Sequence, residues 1–267
     1  MLLLLVLSAL ILLCAAGYRP AVRRYELKSP KIRRPVRLAL ISDLHSCRYG
    51  RNQSRLIRLI EAQNADAVFL AGDIVDDKLP EYRAYALCRE LALKYPCFYV
   101  AGNHEFRTGR ADEIKLRLKD MGITVLQGGC ARVCVQGQQL LIFGLDDPEF
   151  GERAFQAQLC GVQGGTEYSI LISHRPEYIE SYLEHNLDLV LSGHAHGGQW
   201  RLPGLINGLY APNQGFLPKY AGGLYEFGKS YFVVSRGLAR ETTPVPRIFN
   251  RPEIPVIDLV PEHYQNG

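Results

Sequence analysis

The stretch LDLVLSGHAHGGQ, residues 187–199, runs an apolar segment straight into two imidazoles separated by one alanine. A short apolar run rich in Leu and Val reads as a strand buried on both faces. Glycines on either side of the histidines let the backbone turn sharply after it. The same grammar recurs throughout the chain. VRLALIS (36–42) is followed by Asp43-Leu44-His45, and DAVFLAG (66–72) by Asp73. CFYVAG (97–102) is followed by Asn103-His104-Glu105, and YSILIS (168–173) by His174. Five of the seven histidines occupy these strand ends, leaving His185 and His263 elsewhere. In open α/β sheets, sites gather at the carboxyl ends of strands.

Between these strands lie helical patterns. RLIRLIEAQ (55–63) and EYRAYALCRELALKY (81–95) have apolar residues at helical spacing, and ADEIKLRLKDMG (111–122) closes on glycine. GERAFQAQL (151–159) and PEYIESYLEH (176–185) continue the series, the second opening on proline. Shorter strand signals at Ile123–Leu126, Ala131–Val135 and Leu140–Gly144 predict hairpins in the middle of the chain, with YFVVSRG and EIPVIDLV as late strands. The class is α/β; 267 residues suit one large domain or two small ones, and 47% apolar content is enough for a core.

The N-terminus reads differently. Leu2 to Gly17 is apolar and uncharged, and Tyr18–Arg37 carries eight basic residues against one acid, a local +7 that leaves −3 for the rest of a chain with net charge +4. The expectation is an uncleaved membrane anchor over 1–17, a basic juxtamembrane arm over 18–35 and a catalytic domain over 36–262. Placing the arm by the positive-inside rule puts the catalytic domain in the cytoplasm; a cleaved signal and export are the alternative. Lacking interleaved aromatics, the arm reads as a membrane-surface feature and not a nucleic-acid site. Cysteines form no CxxC pair; Cys88, Cys97 and Cys134 lie in apolar runs and are expected in the core as reduced thiols, disulfides among the six cysteines outside the apolar segment being the alternative in an oxidising compartment.

At the strand ends the candidate ligands are Asp43, His45, Asp73, Asn103, His174, His194 and His196. In extended backbone, residues i and i+2 point the same way, so Asp43 with His45, and His194 with His196, are expected to reach one side. Seven ligands are too many for one tetrahedral ion. With Asp73 bridging, each of two ions receives four protein groups. Two divalent cations outweigh the two carboxylates, so the site favours an anionic phosphoryl group.

Taken in order, SDLH, AGDIVD, AGNHE, ISHRP and SGHAHGGQ resemble the motifs of the calcineurin-like metallophosphoesterase family, from about Val36 to Val260. The resemblance implies a four-layer αββα sandwich of two mixed β-sheets, here preceded by an N-terminal apolar helix. It implies that Asp43, His45 and His196 hold one divalent metal, that Asn103, His174 and His194 hold the other, and that Asp73 bridges them. His104 would protonate the leaving oxygen or stabilise phosphoryl charge; its alternative role is to orient a ligand. The reaction implied is in-line hydrolysis at phosphorus, with Mn, Zn, Fe or Ni as suitable ions. The N-terminus is similar to that of a membrane-associated bacterial branch, some members of which cleave UDP-2,3-diacylglucosamine in lipid A synthesis, which implies a lipid-linked phosphodiester or pyrophosphate. The alternatives are a broad-specificity phosphodiesterase or phosphatase for soluble substrates and a metal-dependent binding scaffold. Around the site, Arg175 stands as either a phosphate contact or a salt-bridged loop residue. Asp76 and Asp77 read as a solvated turn, and Tyr49, Asn213, Gln214 and Tyr220 as cleft lining.

Overall fold

The computed structural model describes residues 2–15, 19–240 and 245–264. In chain order the first half comprises α1 (Leu2–Ala15), β1 (Ala21–Ser29), β2 (Val36–Ile41), α2 (Ser54–Glu61), β3 (Ala67–Ala71), α3 (Tyr82–Ala92), β4 (Cys97–Val100), α4 (Asn103–Arg107), α5 (Ala111–Asp120) and β5 (Thr124–Val125). The second half comprises β6 (Cys130–Val135), β7 (Gln138–Leu145), α6 (Glu152–Cys160), β8 (Tyr168–Ser173), α7 (Ile179–Leu183), β9 (Leu189–Ser192), a small hairpin of β10 (Tyr210–Ala211) and β11 (Gly215–Phe216), then β12 (Gly223–Phe227), β13 (Ser230–Val234) and β14 (Glu253–Pro261).

Two six-stranded sheets result, in the orders β1-β14-β2-β3-β4-β5 and β12-β13-β9-β8-β7-β6. Both are mixed: β2, β3, β4 and β5 run parallel while β14 meets β2 antiparallel, and β7, β8, β9 and β13 run parallel with antiparallel β6 and β12 at the edges. Side chains alternate across each central strand, as the pleat requires. Leu38, Leu40, Phe69 and Phe98 point between the sheets, where they meet Ile142, Ile170, Ile172 and Leu191. The opposite faces, Ala39, Ile41, Val68 and Leu70, meet Leu56, Leu87 and Ile114 of the helices. On the far side, Leu171 and Val190 pack on Phe155, Leu159 and Ile179. Three apolar interfaces make four layers, αββα, and the central strands need apolar residues on both faces because both are covered.

Two expectations for the N-terminus are corrected. Helix α1 has 14 residues, a length of about 21 Å at 1.5 Å per residue against a hydrocarbon core of about 30 Å. Among the described residues no helix is long and apolar enough to cross a membrane. The expected membrane-spanning anchor, and the cytoplasmic placement that rested on it, are therefore corrected. Strand β1 is the second correction: the segment expected as a basic arm pairs parallel with β14 over nine residues, from Ala21↔Glu253 to Ser29↔Pro261. Leu27 and Ser29 turn inward while Arg24, Glu26 and Lys28 face solvent. The arm's Lys31 is tied to the domain, its Nζ 2.8 Å from Asp188 Oδ2, and just beyond the arm Arg37 Nε lies 2.5 Å from Asp258 Oδ1. Cys88 and Cys97 are buried as expected, but Cys134 is exposed, since β6 is an edge strand with one open face; the six described thiols that the structure records are free.

Candidate active site

The strand-end residues converge where the carboxyl ends of both sheets meet. Asp43, His45, Asp73 and Asn103 follow strands β2, β3 and β4; His174, His194 and His196 follow β8 and β9. The route differs from extended backbone. Asp43, His45, Asp73, His194 and His196 have φ of 49°, 47°, 53°, 65° and 48°, a left-handed conformation that costs a non-glycine residue about 1–3 kcal/mol. The strain is held by main-chain bonds that carry the β2–β3 pairing beyond the strands: Asp43 N donates to Gly72 O at 3.0 Å, His45 N to Asp73 O at 2.9 Å and Ser46 N to Ile74 O at 3.1 Å. Gly102 is required by close approach, because a Cβ there would lie 2.3 Å from Asp73 Oδ1.

Glu105 holds the Asp73 loop. It is fully buried, and its two oxygens accept from the backbone N–H groups of Asp73, Ile74, Val75 and Gly102 at 2.7–2.9 Å. Burial, with the Asp73 charge next, raises its pKa to about 7. Asp73 Oδ1 accepts from His104 N at 2.8 Å. Its other oxygen, Oδ2, lies 3.5 Å from His45 Nε2 and 3.2 Å from His174 Nε2. One carboxylate oxygen thus faces imidazoles from both sheets. His196 Nε2 and His174 Nε2 stand 3.8 and 4.0 Å from Asp43 Oδ1, and His194 Nδ1 is 3.2 Å from His174 Nε2.

Ring orientations are fixed from outside. His174 Nδ1 donates to Ala71 O at 2.8 Å, leaving Nε2 to face the cluster. His45 Nδ1 pairs with Asp76 Oδ1 at 3.0 Å. Outer partners of this kind set the tautomer of a ligating histidine and raise its basicity. Asp76 is therefore no solvated turn residue: it is 2% exposed and its Oδ2 also accepts from Lys78 N and Leu79 N. The sequence signal was Ile74-Val75, an apolar pair that is wholly buried and carries the next residue inward. For Glu105, the signal was its third position in a helix opened by Gly102.

The donor set suits metal ions. Asp43 Oδ2, His45 Nε2, Asn103 Oδ1 and His196 Nδ1 are buried without a hydrogen-bond partner, an arrangement that is costly unless a cation completes it. Single ligand atoms of Asp43, His45 and His196 lie within 4.8 Å of one another, as do those of Asp73, His174 and His194, and those of His45, Asp73 and His104. Burial raises the pKa of Asp43, whereas His174 and His45 hold Asp73 well below its usual range in spite of burial. Against burial, the Asp73 carboxylate lifts His174 to about 10. Burial pulls His194 and His196 well below the usual imidazole range. His104 packs edge-on to His45 at 4.3 Å, with Nδ1 2.8 Å from Asp77 Oδ1. Burial opposes its charge, but hydrogen bonding to Asp76 and the Asp73 field raise it to about 9.

Arg175 is a buried salt-bridged residue. Its Nε and Nη2 form a bidentate pair with Asp147 at 2.6 and 2.8 Å. Its Nη1 donates to Asn213 Oδ1 at 2.7 Å. Arg175 and Asn213, with Pro148, Glu149, Glu177 and Tyr178, line a cavity of about 360 Å³ on the His194 side. Tyr49 and Tyr220, expected to line the cleft, are buried instead, and Tyr49 OH donates to Leu238 O at 2.5 Å. A larger cavity, about 620 Å³ between α2 and α3, contains none of the candidate ligands.

Comparison with known proteins agrees with this geometry. The chain is 27% identical over 256 residues to an uncharacterized metallophosphoesterase of Campylobacter jejuni, covering 90% of this chain and 63% of that one. It is 28% identical over 235 residues to phosphodiesterase YaeI of Escherichia coli, covering 85% and 83%. A putative metallophosphoesterase of Caenorhabditis elegans is 32% identical over 183 residues, 61% of this chain but 37% of its own. The chain thus spans less than two thirds of the first and third of these relatives. Among solved structures, the NAD nucleotidase of Haemophilus influenzae shares the fold, with a TM-score of 0.50 and 17% identity over 76% of this chain and 45% of that one. The calcineurin-like phosphoesterase family matches residues 36–198. Because that match opens at the first residue of β2 and closes just beyond His196, it embraces all seven converging side chains, and the chain belongs to the calcineurin-like phosphoesterase family.

Proposed function

We propose that this protein is a dinuclear metal-dependent phosphodiesterase. The observation that carries the reading is Asp73 Oδ2, which faces His45 on one side and His174 on the other at 3.5 and 3.2 Å. Asp43, His45 and His196 would hold one ion, Asn103, His174 and His194 the other, and Asp73 both. Bound ions supply an activated water and balance phosphoryl charge. The chain contributes position and protons. Asp76 and Ala71 O orient two imidazoles, Glu105 fixes the loop of the shared carboxylate, and His104, kept cationic by Asp76 and Asp77, gives its proton to the leaving oxygen. The name of the E. coli relative supports a diester as substrate.

The test is turnover of bis-p-nitrophenyl phosphate and p-nitrophenyl phosphate by chelator-stripped protein with and without Mn²⁺. Diester cleavage that depends on the metal and vanishes in Asp73→Asn is expected. Undiminished cleavage after stripping, or by Asp73→Asn, would overturn the reading.

A second reading concerns the substrate's apolar part. Trp200, Leu202, Leu205, Phe216 and Leu217 are exposed, and the last two belong to or follow the β10–β11 hairpin that carries Asn213. They favour a lipid-linked pyrophosphate or phosphodiester such as UDP-2,3-diacylglucosamine. Faster cleavage of that substrate in detergent than of the aryl diester supports it; equal or slower cleavage sinks it.

A further inference from the structure

Past the last histidine, the chain makes the hairpin β10–β11, with Asn213 in its turn at φ 60°, a conformation asparagine tolerates better than most residues. The hairpin is stiff. Tyr210 pairs with Phe216 and Ala211 with Gly215. Gln214 clasps the main chain of Tyr220 in both directions, donating to Tyr220 O at 3.0 Å and accepting from Tyr220 N at 2.9 Å. Asn213 Oδ1 is thereby brought within 2.8 Å of His194 Nε2 and 2.7 Å of Arg175 Nη1.

The amide cannot be turned the other way. Arg175 is an obligate donor, so the group facing Nη1 at 2.7 Å has to be the oxygen. His194 Nε2 has two neighbours, Asn213 Oδ1 at 2.8 Å and Arg175 Nη1 at 3.3 Å; the shorter contact, to an oxygen, makes this nitrogen a donor, and Arg175 Nη1 donates to that same oxygen at 2.7 Å. Its partner Nδ1 then carries the lone pair, on the side where His174 Nε2 lies 3.2 Å away. Arg175 itself is locked by its bidentate bonds to Asp147, so the chain of orientation runs Asp147, Arg175, Asn213, His194. The reverse tautomer would set two acceptors against each other at 2.8 Å.

We infer that Asn213 is a positioning residue that fixes His194 as an Nδ1 ligand, so that one of the two metal sets is completed by a loop outside the five strand-end motifs. The inference rests on the two-ion reading above. Asn213 lies in an exposed turn, so its replacement leaves the core intact.

The experiment titrates chelator-stripped wild type, Asn213→Ala and Asn213→Asp with Mn²⁺ by calorimetry, and records the thermal melting of each stripped protein. Wild type takes up two ions. Asn213→Ala melts as wild type when stripped, but binds one ion about 10–100-fold more weakly, the usual effect of removing an outer partner, with the other ion unchanged. Asn213→Asp keeps the acceptor and restores the lost affinity. Unchanged binding of both ions in Asn213→Ala, an equal loss of both, or failure of Asn213→Asp to restore would overturn the inference while leaving the two-ion reading intact. Fewer than two ions in wild type would sink that reading itself and this inference with it.

Discussion

At the scale of single residues, Asp76 and Asp73 make separable predictions. Asp76 Oδ1 meets His45 Nδ1 at 3.0 Å, so Asp76→Ala should weaken by about 10–100-fold the ion proposed for Asp43, His45 and His196, with the other ion bound as before in a metal titration. Asp73→Asn should lower occupancy of both ions in elemental analysis, because its Oδ2 faces both sets. His104→Ala should keep both metals and slow turnover by about 10²–10⁴, measured as kcat on the aryl diester. The seven candidate ligands were legible because each follows an apolar strand, and strand ends are where α/β sheets collect chemistry. Their turns were not. Extended backbone would have aligned Asp43 with His45, but both are left-handed, a conformation that aspartate and histidine adopt more readily than most residues but that the apolar strand pattern does not announce. Asp76 was hidden for another reason: an acid in a turn reads as solvated, and its burial, like that of Glu105, comes from contacts with segments about 30 residues away.

At the scale of elements, the central strands and α2, α3, α5 and α6 were readable within about three residues at each end, since uninterrupted apolar runs and helical periodicity are strong local signals. Strand β1 was not, because its charge drew attention from its alternation. Tyr25, Leu27 and Ser29 interleave with Arg24, Glu26 and Lys28, the period of a half-buried edge strand. Two truncations should therefore behave differently. Removal of residues 1–18 should leave the fold as it is. Removal of residues 1–34 strips β14 of its nine-residue partner and takes away buried Leu27 and Ile32, a loss of about 1.5–3 kcal/mol for each side chain. Thermal melting should fall by roughly 6 °C or more in the longer truncation, and equal melting of the two would contradict the strand's role. Thiol mapping offers a second check: Cys130, Cys134 and Cys160 should be labelled in the native protein, and Cys47, Cys88 and Cys97 only after unfolding.

For the whole molecule, the candidate ligands join the two sheets at one seam: four belong to loops of the first and three to loops of the second. Ions binding there stabilise only the folded arrangement. At a hundredfold excess over Kd each should add about 2.7 kcal/mol, so chelation should lower the melting temperature by roughly 5–10 °C for each ion lost. A melt indifferent to chelator would argue against a metal-joined seam.

Strand β14 lies between β1 and β2, although the chain makes those two first and β14 last. During synthesis, then, the opening segments emerge from the ribosome with their shared partner still unmade. At ~5–20 residues per second, they wait on the order of ten seconds or longer with bare edges open to pairing with other chains. β1 cannot join the sheet before residue 253 has been added, so a premature stop shortly upstream would leave β1 and the edge of β2 unpaired, a product fit for chaperones and proteases, even with every metal-binding side chain already translated.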